Sequence, residues 1–170
     1  MVMTAGRLLR IDVADLLRRP GSSRAVALAV PVADVATAAA RVVGGAPVEI
    51  RVTLERLQDG LVVRGELRAP WEAACSRCLA PVGGELAVHV DELFEPEPLE
   101  GETYRLEPDA IDLEPLVRDA LTLDLPGVPL CRDDCAGLCP QCGARRDGAP
   151  CGCTTDTPDP RWAALRSLET

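Results

Sequence analysis

The sequence predicts an α+β fold in which an antiparallel β-meander packs against one long helix and a cysteine-rich segment follows at the C-terminal side. Three observations predict it. Segment 48–57, VEIRVTLERL, alternates Val48, Ile50, Val52 and Leu54 with Glu49, Arg51, Thr53 and Glu55, the period of a half-buried strand. Residues 111–126, IDLEPLVRDALTLDLP, space Leu113, Leu116, Val117, Ala120 and Leu121 at helical intervals. The stretch CRDDCAGLCPQCGARRDGAPCGC, from Cys131 to Cys153, then carries six of the eight cysteines.

At the N-terminal side, DVADLLRR has the pattern of a short helix that ends before Pro20-Gly21, and RAVALAV that of a strand. Residues 33–43, rich in Ala and Val, fit either helix or strand. Asp59-Gly60 marks a turn between the strand at 48–57 and a second alternating run, LVVRGELRAP, so these two form a hairpin. ELAVHVDELF at 85–94 puts Leu86, Val88 and Val90 on one face and supplies the third strand, after a loop that holds Cys75 and Cys78. The helix has Asp109 or Asp112 as N-cap and Pro126 as its stop. The tail DPRWAALRSL offers Asp159 as a cap and Pro160 at the first helical position, with Trp162, Leu165 and Leu168 on one side of a short closing helix. The division is therefore an α+β domain over 1–130, including the CxxC loop at 75–78 and an acidic loop at 95–110, and a zinc-binding segment with its closing helix over 131–170.

Composition narrows the function. Only Trp71, Phe94, Tyr104 and Trp162 are aromatic, so platforms for stacking bases are scarce. All 18 basic residues are Arg, which reads as GC-rich coding rather than as chemistry. The net charge of −9 is local: ten acids between Asp91 and Glu114 face Arg105 alone, and the rest of the chain is neutral. With Pro96, Pro98, Gly101 and Pro108 among them, these acids predict an extended, solvated loop, either a spacer or a docking strip for a basic partner. Asp12 and Asp15 interrupt any secretion-type apolar run, and no stretch reaches membrane-spanning length. The expected compartment is the cytoplasm, where close-spaced cysteines serve as metal ligands rather than as disulfides.

CPQCG at 139–143 has the form of a zinc knuckle, two thiolates on a tight turn with Gly143 free to turn left-handed. Cys151 and Cys153 complete a set of four with Cys139 and Cys142. Cys75 and Cys78 with Cys131 and Cys135 make a second set, which ties the inter-strand loop to the segment after the helix. Four thiolates close a zinc site, and closed sites are structural. Each can contribute on the order of 10–16 kcal/mol of apparent binding energy to the folded state. Arg77, Arg132, Arg145 and Arg146 lie beside these cysteines, where cations offset the formal charge of −2 on a four-thiolate zinc. Iron–sulfur ligation and thioredoxin-like exchange compete for the same residues, and spacing alone does not separate zinc from iron.

Catalysis lacks residues. His89 is the one histidine, placed on the strand face opposite Leu86, Val88 and Val90, so the common histidine-rich catalytic zinc sets are impossible. There is no phosphate-cradling loop and no dinucleotide fingerprint. No enzyme activity, small-molecule substrate or membrane association is expected.

The order CSRCL at 75–79, IDLEPLVRDALTLDLPGVPLC at 111–131, CAGLCPQCG at 135–143, CGC at 151–153 and DPRWAALRSL at 159–168 resembles the YceD family, a cysteine-rich bacterial domain named for large ribosomal RNA subunit accumulation. The resemblance implies a non-enzymatic factor for accumulation or maturation of large-subunit ribosomal RNA and for large-subunit assembly. It also implies Cys75, Cys78, Cys131 and Cys135 as one unit and the other four cysteines as an added one. Two mechanisms remain open at this point. The arginines around the zinc centres can meet RNA phosphates, or the acidic strip, with Glu95, Glu97, Glu100 and Glu102, can hold an Arg/Lys-rich ribosomal protein. Scarce aromatics and the net charge favour the protein or a composite surface. A thiol–disulfide redox or metal-responsive module is the alternative from another class.

Overall fold

The computed structural model describes residues 8–147, 151–153 and 161. The closing helix expected over 159–168 lies, Arg161 apart, outside the described residues.

The meander forms where the period-2 patterns place it. Strand β4 (Pro47–Arg56) turns through 57–60 into β5 (Leu61–Ala74), and β5 turns through 75–80 into β6 (Pro81–Glu95). Both pairings are antiparallel, with Arg56 opposite Leu61 and Ala74 opposite Pro81 at the two turns. Val48, Ile50, Val52 and Leu54 are buried while the residues between them face out, because alternation in a pleated strand sends successive side chains to opposite faces. The RAVALAV strand is β2 (Ser23–Pro31), which pairs with β4 as the outer strand. The ambiguous stretch resolves into an Ala36–Arg41 bridge and β3 (Ala40–Val42), which runs beside the far end of β5.

One sheet face carries Arg64, Arg68, Glu66, Glu85 and Asp91 in exposed ion pairs. His89 is exposed and sits opposite Glu66 across the β5–β6 ladder. The other face is the core. Its largest buried side chain is Phe94, stacked on Tyr104 at a centroid distance of 5.2 Å.

The helical elements are shorter than the sequence pattern suggested. A four-residue helix, α1 (Ala14–Leu17), buries Leu16. The expected long helix is α2 (Glu114–Asp124), 11 residues and about 16 Å of axis, an ordinary three-turn helix. It is preceded by β8 (Ala110–Asp112), which pairs with β1 (Arg10–Asp12) in a small separate sheet. Leu113, not Asp109 or Asp112, is its N-cap residue and gives no side-chain cap; Asp112, one position earlier, accepts a hydrogen bond from the Glu114 N–H at 2.9 Å. Leu125 is already extended, as the residue before Pro126 must be. Leu116, Val117 and Leu121 pack α2 onto the core side of the sheet.

The acidic loop at 95–110 also needs correction. Glu95 ends β6, β7 (Tyr104–Arg105) runs parallel to it, and Leu106 is buried. The carboxylate of Glu95 accepts a hydrogen bond from the Thr103 hydroxyl at 2.7 Å. Apolar Tyr104 and Leu106 fold the strip back onto the core, so only about half of it is solvated connector. Glu97, Glu100 and Glu102 are exposed there.

Candidate metal centres

Eight cysteines gather into two sets of four: Cys75, Cys78, Cys131 and Cys135, and Cys139, Cys142, Cys151 and Cys153. Within each set all sulfurs lie within 4.8 Å of one another.

The first, inner, set joins parts of the chain far apart in sequence. Its first limb is the tip of the β5–β6 hairpin, where Cys75 N–H donates to Ala80 O at 2.7 Å and Leu79 N–H to Cys75 O at 2.9 Å. The second limb arrives after α2 and docks when Ser76 N–H donates to Pro129 O at 2.8 Å. Arg77 Nη1 then donates to the carbonyls of Asp133 and Cys135, both at 3.1 Å. Cys75, Cys78 and Cys135 are buried among Ala80, Val82, Leu130 and Leu138, and Cys131 is exposed.

The second, outer, set repeats the local geometry of the first limb. Cys139 N–H donates to Ala144 O at 2.7 Å and Gly143 N–H to Cys139 O at 2.9 Å, the same offsets as at Cys75. The residue after each CxxC turns left-handed: Gly143 with φ 73° and Leu79 with φ 60°. Glycine takes that conformation freely, whereas leucine is held there at a cost of order 1 kcal/mol by its surroundings. That equivalence hides in the sequence because CSRCL lacks the glycine of CPQCG. Here only Cys139 is buried, with Cys142 and Cys151 exposed.

The sulfur spacing fits a metal. A four-thiolate zinc with bonds of about 2.3 Å has sulfur–sulfur edges of about 3.8 Å, and a disulfide needs about 2.05 Å. Cys75 and Cys135 are 3.9 Å apart and Cys78 and Cys131 3.7 Å. The electrostatics agree. In each knuckle N–H groups point at the first sulfur, and they pull Cys75 and Cys139 down to about 6: first the N–H of Cys78 for Cys75, first that of Cys142 for Cys139. Hydrogen bonding with neighbouring sulfurs pushes Cys131 and Cys153 up to about 12, Cys135 being the main cause for Cys131 and Cys142 for Cys153. Each set thus ionises its first thiol readily and resists losing its last proton until a cation enters.

The arginines singled out by sequence divide. Arg77 is spent on the two carbonyls across the inner centre. Arg132 pairs with Asp134 at 3.1 Å and Arg145 with Asp147 at 2.5 Å. Arg146 is exposed and makes no ion pair among the described residues. Glu95, Glu97, Glu100 and Glu102 do not join these arginines: they lie at and beyond the far end of β6, about 45 Å of strand from its knuckle end. Sequence reasoning missed the apolar jacket, Leu130 and Leu138 above all, because neither belongs to a periodic run.

A family model described as "Large ribosomal RNA subunit accumulation protein YceD" matches residues 63–169, a span that holds every cysteine. The chain belongs to the YceD family. It is similar to the uncharacterized protein Rv2926c of Mycobacterium tuberculosis (strain ATCC 25618 / H37Rv), 36% identical over 165 residues that cover 92% of this chain and 79% of the relative. It is likewise similar to the uncharacterized protein ML1660 of Mycobacterium leprae (strain TN), 34% identical over 166 residues, with 92% and 76% coverage. No solved structure matches. No helix among the described residues is long and apolar enough to cross a membrane.

Proposed function

We propose that this chain is a non-enzymatic cytoplasmic factor for accumulation or maturation of large-subunit ribosomal RNA, which acts by binding a ribosomal protein, ribosomal RNA or both. Two structural zinc ions, one in each four-sulfur set, hold its binding surface in shape. The observation that carries the reading is the pair of four-cysteine sets, the sulfurs of each within 4.8 Å of one another, in a chain of the YceD family: a metal held by four thiolates has no open coordination position for chemistry. The separation of charge supports a two-ended surface. Glu97, Glu100 and Glu102 stand exposed at the end away from the cysteine sets, suited to a basic protein. At the metal end Arg132 and Arg145 are paired with Asp134 and Asp147, and Arg146 makes no ion pair among the described residues, which leaves it for a phosphate.

Thiol–disulfide exchange fits less well, since the low-pKa thiols sit at hairpin tips rather than at helix N-termini and each faces three other sulfurs. Crosslinking in cells tests the proposal. Capture of large-subunit ribosomal RNA or of a large-subunit ribosomal protein is expected, and capture of neither refutes it. Native mass spectrometry should show two zinc ions and no iron.

A further inference from the structure

We propose that the outer knuckle is a metal-dependent cover for the inner centre, so that the two metal ions bind with positive coupling and leave in a fixed order, the outer first. The inference rests on the reading that both cysteine sets hold metal, and it adds an interaction between them that neither set implies alone.

Three contacts carry it. Leu138, one residue before the outer Cys139, packs into the apolar jacket of the inner Cys75, Cys78 and Cys135. Arg145, three residues after Cys142, pairs with Leu138 across a short antiparallel bridge, so both face the same way. Asp147 holds the Arg145 guanidinium at 2.5 Å and is the main reason its pKa is raised, with the charges of the inner Cys78 and Cys131 adding to the shift. The turn into the outer knuckle also lies directly on the inner one. A Cβ at Gly137 would come 3.1 Å from the carbonyl oxygen of Arg77, the residue between the inner Cys75 and Cys78, and Gly137 has φ 74°.

The physical consequence follows from what holds residues 137–146 together. The Leu138–Arg145 bridge consists of two backbone hydrogen bonds, Cys139 N–H to Ala144 O and Arg146 N–H to Gly137 O; Gly143 N–H to Cys139 O adds one more, and most of the segment's own residues are exposed. A segment with so little apolar burial folds on its metal. When folded it adds Leu138 to the apolar jacket of the three buried inner ligands and holds the Arg145 guanidinium on the same side of a centre of formal charge −2, Cys131 staying exposed. When it opens, both contributions leave together. Coupling between two ligands is reciprocal, so an occupied inner centre also stabilises the outer one. The order of loss is set by access: Cys142 and Cys151 are exposed, whereas three inner thiolates are buried.

The test is zinc release from the full-length holoprotein to a chromogenic chelator, with zinc stoichiometry by native mass spectrometry. Wild type should lose one zinc in a fast phase and one in a slow phase. Arg145→Gln and Leu138→Ala, which keep all eight thiolates, should each speed the slow phase several-fold. Cys139→Ser with Cys142→Ser should leave one zinc, released about tenfold faster than the wild-type slow phase, the size of an outer-shell effect. Adding Arg145→Gln to that pair should change nothing more, because an open segment no longer presents the guanidinium. An unaltered slow phase in both Arg145→Gln and Leu138→Ala overturns the cover, as does an equal effect of Arg145→Gln in both backgrounds. If the double serine variant does not fold, the two single variants decide alone. A wild-type protein without zinc overturns the metal reading itself, an outcome distinct from two zinc ions that leave independently.

Discussion

Removing one limb of the inner centre, with Cys131→Ser and Cys135→Ser together, should cost this protein a large part of its stability. The link from Cys78 to Cys131 closes a loop across 53 positions. The chain-entropy relation for a cross-link of that span gives about 4 kcal/mol at 25 °C, against a typical domain stability of about 5–15 kcal/mol. This is the least cost, for a metal that also restrains the unfolded chain; a metal released on unfolding forfeits its binding energy besides. For a chain of this size the least cost corresponds to a fall in Tm of about 8–16 °C. The assay is urea unfolding followed by far-UV circular dichroism in zinc-containing buffer, with native mass spectrometry to confirm that one zinc is lost. The denaturant slope should rise, because the released chain expands more when unfolded. If the variant unfolds within 1 kcal/mol of wild type while holding one zinc fewer, the inner centre is not a strut between distant segments and the reasoning fails.

Other outcomes follow from individual residues. Phe94→Ala should destabilise by about 3–5 kcal/mol, seen as a lower thermal midpoint, because it empties the largest fully buried site in an aromatic-poor core. Leu79→Gly should leave stability within about 1 kcal/mol of wild type or raise it, since the exposed leucine sits at φ 60°, whereas Gly143→Leu should lower it by more than that. Metal-bound thiolates bind protons less readily in the folded protein than free thiols do in the unfolded chain. Their contribution to stability is therefore present at neutral pH and above and is lost as pH falls, so acid titration should release zinc with uptake of protons.

Local pattern was legible wherever one periodicity acted alone. Val48 to Leu54 alternate in sequence and in burial because a pleated strand with one wet face admits no other arrangement. Leu116, Val117 and Leu121 announced α2 for the same reason. The pattern was silent on the residues just before the helix: Ile111, outside the helical period, pairs with Ile11 in a small sheet whose two strands lie about a hundred positions apart. It failed at Tyr104 and Leu106, whose acidic surroundings suggested a solvated loop although these two residues return it to the core.

The amino-acid order by itself determined the meander, the position of the helix and the residue types able to bind metal, since each depends on neighbours a few positions apart. The two sets of four cysteines read from the sequence are the two that the structure gathers. Only the tertiary structure decided that within the inner set Cys75 stands 3.9 Å from Cys135 and Cys78 3.7 Å from Cys131, that Arg77 bonds across the inner centre, and that Leu138 of the outer knuckle packs on the inner one. Those contacts join segments more than fifty positions apart, and their geometry is set by how the long β5–β6 hairpin and the chain leaving α2 meet, which no local periodicity encodes.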